Sequence, residues 1–119
     1  VRMVLRSFEI AVGGEVLVPK IPSMKITDLA EAIAPGISTL ETGIRPGEKV
    51  HETMITSEDS RHTIDIGDYY IIKPETFSYH GPDGKPVPEG FSYNSSNNEH
   101  WLTVPQLRDT LKKQGFDIR

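Results

Sequence analysis

The chain has 119 residues, a length that suits one domain with a modest core. Its formal net charge of -4 argues against a nucleic-acid partner, which favours a basic stripe, and the absence of cysteine excludes a disulfide scaffold and a thiolate metal site. No apolar run approaches the roughly 20 residues needed to span a bilayer, so no membrane span is expected, and a cytoplasmic setting fits.

The opening Val1-Arg2-Met3-Val4-Leu5 has neither a basic leader nor a cleavable apolar core. It starts directly in helical pattern, as expected for a piece of a longer protein. Val1, Val4, Leu5, Phe8 and Val12 recur at helical spacing until Gly13-Gly14 stops them. Glu15 to Val18 reads as a strand closed by Pro19 and Pro22. Ile26, Leu29, Ala30 and Ile33 predict a second amphipathic helix, ended at Ala34 by Pro35-Gly36. Ile37 to Ile44 is expected as a strand, and Gly47 to Ile55 as a short helix with Val50 and Met54 on one face.

From Arg61 the period drops to two. Thr63 to Ile66 and Tyr69 to Ile72 are β-rich and flank Gly67-Asp68, a hairpin signal. Lys73 to Gly90 carries four prolines, Pro74, Pro82, Pro86 and Pro88, and is expected as a long loop. A polar run from Ser92 to Glu99 leads to Trp101, read as a core or interface anchor. The closing helix is the best specified, over about Val104 to Gln114. Thr103 stands at the cap, Pro105 in the first turn, Gln106 at capping-box spacing, Leu107 and Leu111 on one face, and Gly115 at the stop. The fold class is α/β to α+β: a small mixed domain of short strands, a few amphipathic helices and long loops.

Neither Gly-x-Gly-x-x-Gly nor a Walker loop occurs, so this chain offers no dinucleotide or triphosphate cradle. Tyr69 and Lys73 stand four apart, but on a strand that separates them by about 13 Å, too far for a phenol base to feel the ammonium. His51, His62, His80 and His100 lack metal-ligand spacing, and no metal site is expected. Asn94-Ser95-Ser96 matches a glycosylation sequon, without meaning where no export signal is read. The segment that stands out is Gly43-Ile44-Arg45-Pro46-Gly47-Glu48-Lys49. A strand end delivering Arg45, a Pro-Gly reversal and a helix opening at Glu48 would set a guanidinium fork and a carboxylate toward one ligand. A plain surface turn, with Arg45 paired to a carboxylate, is the alternative.

At this segment the chain resembles the extended short-chain dehydrogenase/reductases that act on UDP-sugars, specifically the inverting UDP-N-acetylglucosamine 4,6-dehydratases. The resemblance runs colinearly through Glu15 to Met24, Thr27 to Ala32, Gly43 to Glu52, Asp68 to Ile72, Tyr93 to Asn98 and Trp101 to Val104. It implies a C-terminal substrate-binding part, with residues 1–72 serving the nucleotide-sugar and 73–119 forming the proline-rich loop and tail. It further implies that Arg45 meets the UDP diphosphate and Glu48 the ribose hydroxyls. NADP and the catalytic groups would then belong to an N-terminal Rossmann domain absent from these residues. On that reading the chain holds no catalytic residue, binds no cofactor and is inactive alone, and the full-length enzyme is expected as a homo-oligomer. A UDP-sugar 4-epimerase and a stand-alone, non-catalytic oligomerisation module are the alternatives.

Overall fold

The computed structural model describes residues 2–76 and 78–118, so Val1 of the expected first helix lies outside the described residues. The chain divides into two compact units: Val1–Ile21 with Thr53–Asn94, and Pro22–Glu52 with Ser95–Arg119. Both units draw on residues either side of the 72/73 boundary, because chain distant in sequence returns to complete each.

The first unit opens with helix α1 (Arg2–Ile10), amphipathic in sequence yet without a buried residue. Val4, Leu5 and Phe8 are all exposed, Phe8 by 80%. Strand β1 (Val16–Pro19) follows, and Pro19 is part of it rather than its stop. Strands β2 (Thr53–Ile55), β3 (Thr63–Asp65), β4 (Tyr69–Ile72), β5 (Lys85–Pro86) and β6 (Tyr93–Asn94) complete the unit, with a 3₁₀ turn at Asp59–His62. One sheet has the order β1-β4-β3-β5 and every pair is antiparallel.

Its register sets Leu17, Ile71 and Ile64 in one row and Val18, Tyr70 and Asp65 in the next. Successive residues of a strand point to opposite faces, so the two rows serve two faces. Ile71 and Ile64 are buried on one, Val18 on the other. Val18 packs with Ile55 and Tyr93, and Tyr70, Ile72 and Phe91 close around them. The Tyr70 ring sits 5.2 Å from that of Phe91 and 5.4 Å from that of Tyr93.

The β3–β4 reversal turns on Gly67, whose φ of +96° at the first central position favours glycine, and Ile66 N–H donates to Tyr69 O at 3.0 Å. A second glycine is needed for space. A Cβ on Gly84 would come within 2.7 Å of Asp65 O, so the chain entering β5 could not otherwise approach β3. The loop expected from Lys73 to Gly90 thus contains a short strand. Pairing across the sheet, which a proline-rich sequence does not advertise, creates it.

The second unit contains α2 (Ile26–Ile33) and α3 (Val104–Lys113). They pack through Ala32, fully buried, and Leu107, 2% exposed, and Arg108 donates to Ala32 O at 2.6 Å. The capping box at Thr103 forms, with Gln106 Oε1 accepting from the Thr103 N–H at 2.8 Å and its hydroxyl at 2.9 Å. At the other end Phe116 N–H donates to Leu111 O and Gly115 N–H to Lys112 O, the paired bonds of a Schellman stop, with Gly115 at φ +86°.

Two expected elements do not form. Residues 37–44 are not a strand and residues 47–52 are not helical, while Thr53–Ile55 is strand β2. The physical reason is pairing: Thr53 and Ile55 are drawn to Asn94 and Tyr93 of β6, and residues 37–44 meet no strand partner among the described residues. Trp101 is not a core anchor either. It is 38% exposed, forms a parallel bridge with Ser23, and its indole N–H donates to Asn98 O at 2.6 Å. Among the described residues no helix is long and apolar enough to cross a membrane.

Candidate functional site

Arg45 and Glu48 lie in the second unit, at the two ends of a Pro-Gly turn. Pro46 presets its own φ, Gly47 takes φ +85°, and Glu48 N–H donates to Arg45 O at 3.0 Å, the pattern of a type II turn. The Glu48 carboxylate reaches back, accepting from the Arg45 N–H at 3.0 Å through Oε2. Its other oxygen stands 3.8 Å from Arg45 Nε.

The turn therefore sets the two side chains beside each other as an exposed pair, the arrangement given above as the alternative, and not as a strand end facing a helix start. No helix begins at Glu48, so no helix N-terminus supplements the site. The pair itself is loose. The Arg45 side chain is 84% exposed and that of Glu48 52%, and an exposed contact of this length contributes little to stability. A guanidinium held so weakly keeps most of its donor edge in solvent, available to an anion.

Fixed structure resumes just after the turn. Ser95 N–H donates to Glu52 O at 2.9 Å, and Ser95 Oγ accepts from Glu52 N–H at 3.1 Å and lies 3.3 Å from His51 Nδ1. A cavity of about 340 Å³ in this unit is lined in part by Lys25, Val50, His51, Ser95 and Trp101. In the sequence Ser95 stands only as the middle of a sequon and as one residue of the Tyr93 to Asn98 run, with no role of its own. Its signal is visible only once the tail is seen to return to residue 52.

The other sequence candidates disperse. Tyr69 starts β4 and Lys73 follows its end. His62 Nε2 is 3.5 Å from Glu75 Oε1, and among the described residues no three His, Asp or Glu side chains gather to hold a metal. The perturbed carboxyls serve structure. Hydrogen bonds from the Thr56 hydroxyl and N–H hold Asp59 below the usual carboxylate range, and tie the first residue of the 3₁₀ turn back to Thr56. Burial raises Asp65, but the Lys20 ammonium at 2.6 Å and the Gly67 N–H outweigh it and leave it lowered.

The inverting UDP-N-acetylglucosamine 4,6-dehydratase of Campylobacter jejuni is 46% identical over 127 aligned positions, covering 98% of this chain and 38% of that protein. The UDP-glucose 4-epimerase of Rickettsia canadensis is 37% identical over 93% of this chain and 35% of its own length. The chain thus spans little more than a third of the relatives it matches. The X-ray structure of Pen from Bacillus thuringiensis superposes with a TM-score of 0.75 at 25% identity, over 96% of this chain and 36% of that one. Residues 1–74 match the family model described as polysaccharide biosynthesis protein, and the chain belongs to that family.

Proposed function

We propose that this chain is the C-terminal, UDP-sugar-binding part of an inverting UDP-N-acetylglucosamine 4,6-dehydratase of the extended short-chain dehydrogenase/reductase type. The single observation that carries the reading is the Pro-Gly turn that presents Arg45 and Glu48 side by side, in a chain 46% identical to a protein of that activity. Residues 1–72 contain the turn, and the nucleotide role is assigned to that portion. Arg45 meets the diphosphate with two parallel N–H donors, and Glu48 accepts from the ribose hydroxyls. The loose Arg45–Glu48 contact opens as the ligand enters, and Glu48 exchanges a guanidinium for hydroxyls.

The residues here do not fit NADP. Dinucleotide cradles need a glycine-rich turn from strand to helix, whereas the β1-to-α2 connection is Lys20-Ile21-Pro22-Ser23-Met24-Lys25. The cofactor and the reacting groups are therefore assigned to the remainder of a longer, cytoplasmic, homo-oligomeric enzyme, and this chain alone is inactive. Its contribution is to hold the nucleotide end, binding energy that becomes positioning at the reacting carbon. The 4-epimerase reading shares this grip and is supported by lower identity, 37% against 46%.

The test is a titration of UDP, UMP and uridine into the isotope-labelled chain, following backbone amide shifts. Shifts clustered at residues 44–49 and shrinking from UDP to uridine are expected. Arg45→Ala should weaken UDP about tenfold or more, and Arg45→Lys nearly as much, because lysine keeps the charge and loses the fork. Shifts confined to residues 73–90 or to the tail would place the nucleotide elsewhere and leave Arg45 a surface residue.

A further inference from the structure

The grip turn lies in a stretch, residues 37–52, that is exposed throughout and has neither helix nor strand. A site works only if its groups are held within a fraction of an ångström of their productive places, so something outside the stretch must fix it. Upstream, the last tethers are Gly36 N–H on the Glu31 carboxylate at 3.1 Å and Ile37 N–H on Ala34 O at 3.2 Å. Both stand well before Arg45. Downstream, the hold is closer and denser.

Ser95 grips Glu52 from both sides, through its own N–H to Glu52 O and through its hydroxyl from Glu52 N–H, and the same hydroxyl meets His51 Nδ1. Ser95 is itself anchored, since Ser23 Oγ donates to its carbonyl at 3.2 Å. Ser23 is in turn tied to the tail, its N–H to His100 O at 2.8 Å and its carbonyl from Leu102 N–H at 2.9 Å. A hydroxyl has one donor and two acceptor sites, and Ser95 commits at least two of them to residues 51 and 52.

We infer that Ser95 is a positioning residue for the nucleotide grip: its hydroxyl pins His51 and Glu52, and so sets where the Arg45–Glu48 turn stands. The inference rests on the reading of that turn as the UDP site. Glu52 is only four residues beyond Glu48, a reach of roughly 14 Å at full extension and less in an irregular chain. Loss of the hydroxyl frees two groups that are exposed and find water, so stability should hardly change while the turn's position loosens.

The experiment compares UDP titrations of the unsubstituted chain with Ser95→Ala and Ser95→Thr, each with a thermal unfolding scan. Ser95→Ala should weaken UDP about three- to tenfold at an almost unchanged midpoint. It should also speed exchange of the Glu52 amide, and Ser95→Thr, which keeps Oγ, should restore both. Should Ser95→Ala disturb the amide spectrum beyond residues 44–52, Ser95→Cys, near in size and a poor acceptor, takes its place. Binding lost in Arg45→Ala but unchanged in the Ser95 variants overturns the tether and leaves the grip standing. An unsubstituted chain whose amides at 44–49 ignore UDP overturns the grip, and the tether's role falls with it.

Discussion

The sheet of the first unit and the stretch from residue 37 to 52 both carry aliphatic side chains and dispose of them in opposite ways. In the sheet, Val18, Ile64 and Ile71 are buried, and each strand residue meets a partner across an antiparallel ladder. In the stretch, Ile37, Leu40, Ile44 and Val50 are 59%, 87%, 63% and 69% exposed. Hydrophobicity prepares a segment for burial, and only a partner of matching geometry completes it. The proposed binding residues fall in the segment without one. That is consistent with a site whose remaining wall belongs to another part of a longer protein.

Truncating one aliphatic side chain in each region should separate the two most widely. Ile71→Ala removes a fully buried side chain from the middle of β4 and should cost about 3 kcal/mol, read as a lowered unfolding midpoint. Leu40→Ala, at 87% exposure, should stay within about 0.5 kcal/mol. Equal losses would mean that the 37–52 stretch is packed in solution, and the contrast would collapse.

A smaller effect tests a helix end in the second unit. Thr103→Ala should lower stability by about 0.5–1 kcal/mol, at the modest end for an N-cap, because the Thr103 N–H keeps its bond to Gln106. Pairing it with Gln106→Ala in a double-mutant cycle should show clear coupling, and additive losses would deny the box.

The smallest effect concerns acid. Asp59 has its folded pKa lowered by the Thr56 hydrogen bonds, so it contributes stability above its unfolded pKa that is lost as pH falls through the folded one. Unfolding followed from roughly pH 5 downward should show that acid-sensitive limb, and Thr56→Val should flatten it. A limb of unchanged slope in Thr56→Val would assign the acid response to other carboxyls.

Much of the fold was legible because its causes are local. α2 and α3 follow from apolar residues at helical spacing with Pro-Gly and Gly stops, and the β3–β4 hairpin from Gly67-Asp68 between β-rich runs. The Arg45–Glu48 turn was legible for the same reason, since Pro46 and Gly47 dictate their own dihedral angles. The expected strand at 37–44, the expected helix at 47–55, and the unexpected β5 and β6 turned on what lay opposite. Two-residue strands such as Lys85–Pro86 have no period to detect.

By itself, then, the sequence determined the mixed class, the helices with their caps, the hairpin, and the turn that sets Arg45 beside Glu48. Tertiary structure alone decided that Ile55 pairs with Tyr93 instead of closing a helix. It alone decided that Trp101 stays half in solvent, and that Ser95 returns from the tail to clasp Glu52. Dihedral preferences and capping act over three or four residues and can be read in order along a chain. A hydrogen bond spanning 43 residues depends on where the rest of the fold carries its two ends.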